Sequence, residues 1–390
     1  MYDSGLYRCL WHSNWCWTTA LWQYIWCCTT GPFRIVILWI EPVVEVSAPG
    51  RICLFGDYQD YLGLPVISMA ISLRARITGA LRQDRQVIIH KPDLDESESF
   101  SLNDLTYSRQ RDYFKSGIIV CQREGLAFSS GLECELTSDI PIKAGSGSSS
   151  AIMVNWIHFL SRMADIPPQW MPQKIGELAY QAEVLEFSEP GGMMDQITAA
   201  MGSLIYLESE PEIIVRSLST RLGTFVLGDS QEPKDTMAIL RRCRDARLNI
   251  LKKLQQKNPE FDLPTCGDEV VLSDLSVVEK TLFEGTIHNR NLLQQALNEL
   301  EKHTPNHEKI GRFLSDHQRV LRDVLQVSTP KVEAMLEAAL DAGALGGKIN
   351  GSGGGGCMFA YSPENAEDVV LAIERFGGKA YIIDQDTGIS

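Results

Sequence analysis

Residues 141–151 read PIKAGSGSSSA, and an apolar stretch, Ile152, Met153 and Val154, follows at once. Ile142 is the one bulky apolar side chain among the eleven residues. Ordering small residues costs backbone entropy, so a folded chain that keeps such a loop holds something with it. A loop of Gly, Ala and Ser that opens a helix lets backbone N–H groups come close to a ligand. It also sets the partial positive charge of a helix N-terminus beside that ligand. Ser148, Ser149 and Ser150 add hydroxyls that reach phosphate oxygens or a metal. On this stretch alone two readings stay open, an anion-binding loop or a turn with a serine cap. No Gly-Lys-Ser/Thr closes it, so it is not a Walker loop.

Outward from the loop, Ile152, Trp156, Phe159, Leu160 and Met163 fall on one helical stripe that Pro167 and Pro168 end. A second helix is expected over 173–187. The turn SEPGGMMDQ (188–196) then leads into another helix. Upstream, the run from Val43 to Leu81 alternates like strands, with a turn expected at Pro49 and Gly50. Strands are also expected at 86–91, 133–140, 203–209, 212–218, 223–230 and 379–384. Helices are expected at 236–256, 270–279, 289–302, 309–325, 331–342 and 365–376. No internal repeat or long linker is present.

The chain has 390 residues and 44% hydrophobic content, enough for two domains. Its net charge of −14 disfavours nucleic acid as a partner. Phosphate must therefore be held locally, by backbone N–H groups and a few cations. The ten cysteines form no CxxC pair, which argues against zinc, and scattered thiols fit a reducing, cytoplasmic setting. Residues 1–42 are unlike the rest and hold six of the eight tryptophans. His12, Asn14, Thr18, Thr19 and Gln23 interrupt any signal-peptide or membrane-spanning core. This segment reads as an atypical, poorly ordered and non-native or mis-started extension. A membrane-surface anchor and a partner-binding arm are the alternatives. RIVILWI (34–40) could form a strand.

Two further segments bear on chemistry. GSGGGG (351–356) sits between apolar strands, flanked by Ile349 and by Met358 and Phe359, so it belongs to a core rather than to a linker. APGRICLFGDYQDYLG (48–63) places Arg51, Asp57 and Asp60 in a glycine-punctuated turn after a strand. Taken alone, such a turn is an ordinary surface hairpin or a platform for a polyhydroxyl ligand.

In this order, the three segments resemble the motifs of the GHMP kinase superfamily, and most of all its galactokinase-type sugar kinases. GRICLFGDYQDYLG is similar to the galactokinase signature Gly-Arg-x-Asn-Leu-Ile-Gly-Glu-His-x-Asp-Tyr-x-Gly. PIKAGSGSSSA resembles the superfamily ATP loop, and NGSGGGG its Gly-Ala-Gly-x-Gly-Gly motif. GGMMDQ and DHQRVLRDVLQVSTPKVEAML (316–336) also resemble galactokinase segments. The likeness covers residues 43 to about 384 and leaves out 1–42. It implies an α+β fold of two domains with the site in the cleft between them. The ribosomal-S5-like, ATP-binding domain would be 43–220 and the ferredoxin-like domain 221–390. It further implies ATP as phosphoryl donor, Mg²⁺, a small alcohol as acceptor, no stable membrane association, and a monomer or weak dimer.

Residue by residue, the resemblance makes Asp195 the catalytic aspartate that takes a hydrogen bond or proton from the attacking hydroxyl; the bare alternative is a helix N-cap. It makes Arg51 the arginine that stabilises the transferring phosphoryl group and keeps Asp195 ionised; the alternative is a surface arginine. Lys143, Ala144, Gly145, Ser146, Gly147, Ser148, Ser149 and Ser150, with Gly353 and Gly354, would hold the nucleotide. Lys143 is open to a second reading as a solvated loop lysine. Ser149 and Glu183 would hold the metal, with Ser148 and Glu186 as alternatives. Asp57, Tyr58, Asp60 and Gly192 would contact the acceptor.

The chain departs from the signature at Asp57-Tyr58, where Glu-His is usual, and at 143–146 of the ATP loop, where Gly and Leu are common. The acceptor could therefore be a neutral sugar other than galactose. Mevalonate kinases usually carry Lys where Arg51 stands and lack the Asp60-Tyr61 pair, which favours a sugar 1-kinase over a non-sugar GHMP kinase. A catalytically silent sugar and ATP sensor is the reading from another class. Asn350-Gly351-Ser352 matches a glycosylation pattern but lies in the phosphate loop. His317, Met193 and Met194 read as packing residues.

Overall fold

A computed structural model describes residues 43–142, 144–233, 236–267 and 270–390. The extension at 1–42, with the strand considered at 34–40, and Lys143 lie outside the described residues.

Two sheets organise residues 44–390. The first is built from β1 (Val44–Phe55), β2 (Val66–Arg82), β3 (Gln86–Lys91), β4 (Glu96–Ser101), β5 (Gly131–Ser138), β6 (Leu204–Glu208) and β7 (Ile214–Leu218). Its spine is the 17-residue β2. One half of β2 pairs with β5 and the other with β6, while β1 lies antiparallel along it. The turn expected at Pro49-Gly50 is instead a shift of register inside β1, which continues to Phe55. Proline removes one ladder donor there without ending the strand. Arg51 is consequently a strand residue and not part of the turn.

Four helices belong to this part of the chain: α1 (Tyr113–Arg123), α2 (Ser148–Met163), α3 (Pro172–Tyr180) and α4 (Met194–Met201). The stripe read from the sequence is the buried face of α2. Trp156 is fully buried there, and its indole N–H donates to the Phe114 carbonyl at 3.0 Å. α3 runs into a π-helical turn at Gln181–Leu185. The helix α1 and strand β4 were not expected.

The second sheet has the order β11-β8-β10-β9, all antiparallel, from β8 (Phe225–Asp229), β9 (Gly346–Ile349), β10 (Cys357–Tyr361) and β11 (Lys379–Ile383). With it go α5 (Thr236–Lys257), α6 (Val277–Leu300), α7 (His307–Arg319), α8 (Pro330–Asp341) and α9 (Ala366–Arg375). Of the helix expected at 270–279 only 277–279 is helical; these residues and the helix expected at 289–302 belong to one longer helix, α6, begun by a capping box between Ser276 and Glu279. The α+β class agrees with the expectation.

One apolar core lies between β1–β3, β5 and α1–α4. Another joins Ile52, Leu54 and Phe55 of β1 to Phe225, Phe359, Leu293 and Leu314 of the second half. Residues 384–390 return to the first sheet, where Arg74 grips the Asp386 carboxylate at 2.8 Å.

Candidate active site

β1 carries Arg51 below the start of α2, and α4 brings Asp195 to it. The Arg51 Nε donates to Asp195 Oδ1 at 2.7 Å, Nη2 donates to Oδ2, and Nη1 donates to the Gly145 carbonyl at 2.6 Å. The planar guanidinium thus grips the carboxylate with two parallel bonds. Arg51 is 4% exposed, so it is no surface arginine. Asp195 keeps 26% of its side chain open. Burial works against the Arg51 charge, but Asp195 overrides it, and the arginine pKa lies above its ordinary value. Met193 occupies the N-cap of α4, so Asp195 is a first-turn residue of that helix and not its cap.

The loop 144–147 is gripped from beneath. The Ser146 carbonyl accepts the Arg51 N–H at 3.0 Å, and the Ala144 carbonyl accepts the Cys357 N–H at 2.5 Å. Asn350 donates from Nδ2 to the Gly145 carbonyl at 2.9 Å and accepts the Cys53 N–H at 3.0 Å. The two glycine loops therefore meet. A Cβ on Gly351 would stand 2.6 Å from the Gly145 carbonyl oxygen, so only glycine fits. Gly354 donates to Val327 O at 2.6 Å, beside Gly353. With the loop carbonyls turned inward, the N–H groups of Ser148, Ser149 and Ser150 open the first turn of α2 with no partner among the described residues.

Glu183 sits in the π-helical turn, a feature that often marks functional sites. It is 6% exposed, and Gln196 donates to its Oε2 at 2.6 Å. Burial pushes its carboxyl up, against hydrogen bonds from Ser149, Gln196 and Ser150. Glu186 points elsewhere: Arg123 and Tyr107 hold it, the latter at 2.7 Å. Ser148 is buried and Ser149 exposed. A buried carboxylate beside an open hydroxyl is an oxygen donor set suited to a hard cation that keeps most of its water. Among the described residues no cluster of three or more His, Cys, Asp or Glu side chains could hold a metal.

The residues expected to contact the acceptor divide. Asp60 lies over Gly192, where a Cβ would stand 1.7 Å from Asp60 Oδ2. Burial pushes the Asp60 carboxyl up to about 6; the Tyr61 N–H opposes that, Asp195 adds to it, and Arg247 opposes it. Asp57 and Tyr58 do not open to the same place. Asp57 is 4% exposed, with Lys348 Nζ 2.8 Å from its Oδ2. One methylene shorter than the usual Glu, it ends in this internal pair. Tyr58 has φ +65° and donates its hydroxyl to the Ser352 carbonyl. Both were expected to contact the acceptor; both are taken up inside the protein. His317 stacks on Phe55 at 6.2 Å, and burial brings its pKa down to about 4, so beside Asp57 it is a neutral ring.

Sequence reasoning passed over Lys348, Gln196 and Arg247, and discounted Asn350. Lys348 is fully buried and donates to the carbonyls of Cys53 and Ile349, each at 2.9 Å. No residue spacing announced these partners, since each pairs with a segment distant in sequence.

Comparison with known proteins agrees with this fold. Residues 112–203 match the GHMP kinases N terminal domain, 293–379 the GHMP kinases C terminal family, and 41–81 the galactokinase galactose-binding signature. A mevalonate kinase of Thermococcus gammatolerans is 29% identical over 351 residues, 87% of this chain and 96% of the relative. A galactokinase of Pyrococcus furiosus is 26% identical over 325 residues, 81% and 88% of the two. In fold, a Lactococcus lactis galactokinase solved with galactose superposes with a TM-score of 0.79 at 20% identity, covering 89% of this chain and 95% of that one. A Methanococcus jannaschii mevalonate kinase gives 0.68 at 19%, covering 89% and 99%. Among the described residues no helix is long and apolar enough to cross a membrane. With both family domains matched around one glycine-lined site, the chain belongs to the GHMP kinases, a family of ATP-using phosphotransferases.

Proposed function

We propose that this chain transfers the γ-phosphoryl group of ATP to a hydroxyl of a neutral sugar, the anomeric hydroxyl of galactose or of a related sugar. One observation carries the choice of acceptor. The Asp60 carboxylate stands over Gly192, and Asp195 lies near enough to raise its pKa. Arg51 is already bonded to Asp195, and Arg247, the cation that acts on Asp60, to the Tyr58 carbonyl. Sugar hydroxyls donate well to carboxylates, whereas an acceptor that is itself a carboxylate meets repulsion there. The galactose-binding signature over 41–81 supports the same reading.

In this reading Asp195 accepts the proton of the attacking hydroxyl while the hydroxyl oxygen forms a bond to the γ-phosphorus. The bond from that phosphorus to the β,γ-bridging oxygen breaks, and ADP leaves. Arg51 orients the Asp195 carboxylate with two parallel bonds and offsets charge on the transferring group. The loop 144–147 and the first turn of α2 take the phosphates, and Asp60 orients the acceptor. Ser149 and Glu183 would hold Mg²⁺, which when bound offsets phosphate charge. Residues 43–220 and 221–390 serve as the two domains of this arrangement.

A second reading, a mevalonate-type acceptor, is favoured by the relatives at 27–29% identity named mevalonate kinase. ADP release with Mg-ATP separates the two. The panel is galactose, glucose, mannose, N-acetylgalactosamine, arabinose, fucose, galacturonate, a heptose and mevalonate. Turnover of a neutral sugar is expected. Turnover of mevalonate alone replaces the proposal with the second reading. Silence across the panel with a thermal shift for ATP or a sugar replaces it with a sensor.

A further inference from the structure

Arg247 projects from α5 and is 3% exposed, yet among the described residues no carboxylate forms an ion pair with it. Its partners are neutral oxygens. Nε donates to the Cys243 carbonyl at 3.0 Å; Nη2 donates to the Tyr58 carbonyl at 2.6 Å and to the Tyr61 hydroxyl. The guanidinium also lies 5.8 Å from the Tyr58 ring centre and 5.4 Å from that of Tyr61. A buried cation bonded only to neutral groups is costly to keep. The same loop is strained. Tyr58 has φ +65°, a conformation that bulky residues rarely adopt unless the surroundings impose it. Between the two tyrosines that Arg247 holds lies Asp60, the carboxylate at the acceptor side.

We propose that Arg247 is a positioning residue that fixes the acceptor loop 57–61 in its strained shape and thereby sets acceptor affinity. Among the described residues it bonds to neither nucleotide loop; it acts through Tyr58 and Tyr61, and its charge also favours the ionised Asp60. Tyr58 completes the clamp from the other side, because its hydroxyl is held by the Ser352 carbonyl of the second glycine loop. The strain is thus shared between α5 and that loop. The inference rests on the reading that Asp60 and Gly192 face the acceptor, but not on which acceptor it is.

The test uses the full chain and whichever acceptor of the panel is turned over. Arg247→Met removes the bonds and the charge. It is expected to raise the acceptor KM by about tenfold or more, as loss of charged hydrogen bonds does. The KM for ATP should stay within about twofold, and kcat should fall less than the acceptor KM rises. Arg247→Lys keeps the charge and one donor direction, and should recover part of the acceptor KM. Tyr61→Phe, which removes only one accepting hydroxyl, gives a reading if Arg247→Met fails to fold, with a rise in acceptor KM of about threefold expected. Parallel rises in both KM values, or an unchanged acceptor KM in Arg247→Met or, where that variant does not fold, in Tyr61→Phe, would overturn the proposal. If only mevalonate is turned over and its KM responds as described, the sugar reading fails and the positioning role stands.

Discussion

Two ion pairs lie close along the chain segment that starts in β1, and they differ in exposure. Arg51 and Asp195 join β1 to α4, and the carboxylate keeps 26% of its side chain open. Lys348 and Asp57 join β9 to the loop after β1, with exposures of 0% and 3%. The first pair leaves its carboxylate partly open, as the proposed role of proton acceptor requires. The second is closed on itself and orients backbone, since Lys348 also holds the Cys53 and Ile349 carbonyls. Charge in the segment therefore does not mark function; access does.

The most severe test of that contrast is Asp195→Asn. It should lower kcat by about 10²- to 10⁴-fold, the usual worth of a general base, while thermal melting changes little. Near-normal turnover would remove the distinction between the pairs. Lys348→Met should do the reverse. It leaves Asp57 buried without its cation, which costs about 3–5 kcal/mol of stability in urea denaturation. The KM values of the folded fraction should stay near those of the parent, and a loss of activity without a loss of stability would place that pair in the site. The smallest effect is a pH dependence. Asp60 is held up to about 6, against an ordinary carboxyl near 3.8. Above pH 6 its ionised form is the one that accepts hydroxyls, so the acceptor KM should rise a few-fold as pH falls from about 7 to about 5.5. Because the folded chain holds this proton more tightly than the unfolded one, Asp60 weakens the fold above about pH 6, and that cost is relieved down to about pH 4. Acceptor binding and this contribution to stability thus move in opposite directions. Asp195, Arg247, Tyr61 and Tyr180 all face this carboxylate, so Asp195→Asn should also lower the midpoint.

Much of this was legible in the sequence because it was local. The glycine loop and the helical stripe of α2 can be read from neighbouring residues, whereas Arg51, Asp60 and Asp195 were picked out by their resemblance to family motifs. The helix α1 was missed because Ser116 and Gly117 interrupt its pattern. The structure supplies the reason, since a Cβ on Gly117 would stand 2.6 Å from the Trp156 ring. The choice between Glu183 and Glu186 could not be made from helical spacing, because a π-helical turn changes the angle between them. Asp57 and Tyr58 sat in the motif but are held by Lys348 and Ser352, residues nearly 300 positions later in the chain. Partnerships of that range leave no periodic trace.

The stitching under the glycine loops also has a mechanical meaning. A hinge needs a line that few bonds cross. Here Asn350, Lys348 and the Cys357 N–H all cross from the second sheet to β1 and the loop 144–147. Each is worth about 1 kcal/mol when made and more when left buried and unmade. Swinging one half against the other would sever them together. Rotation of one half against the other is therefore costly, whereas loop motion that spares these bonds is not.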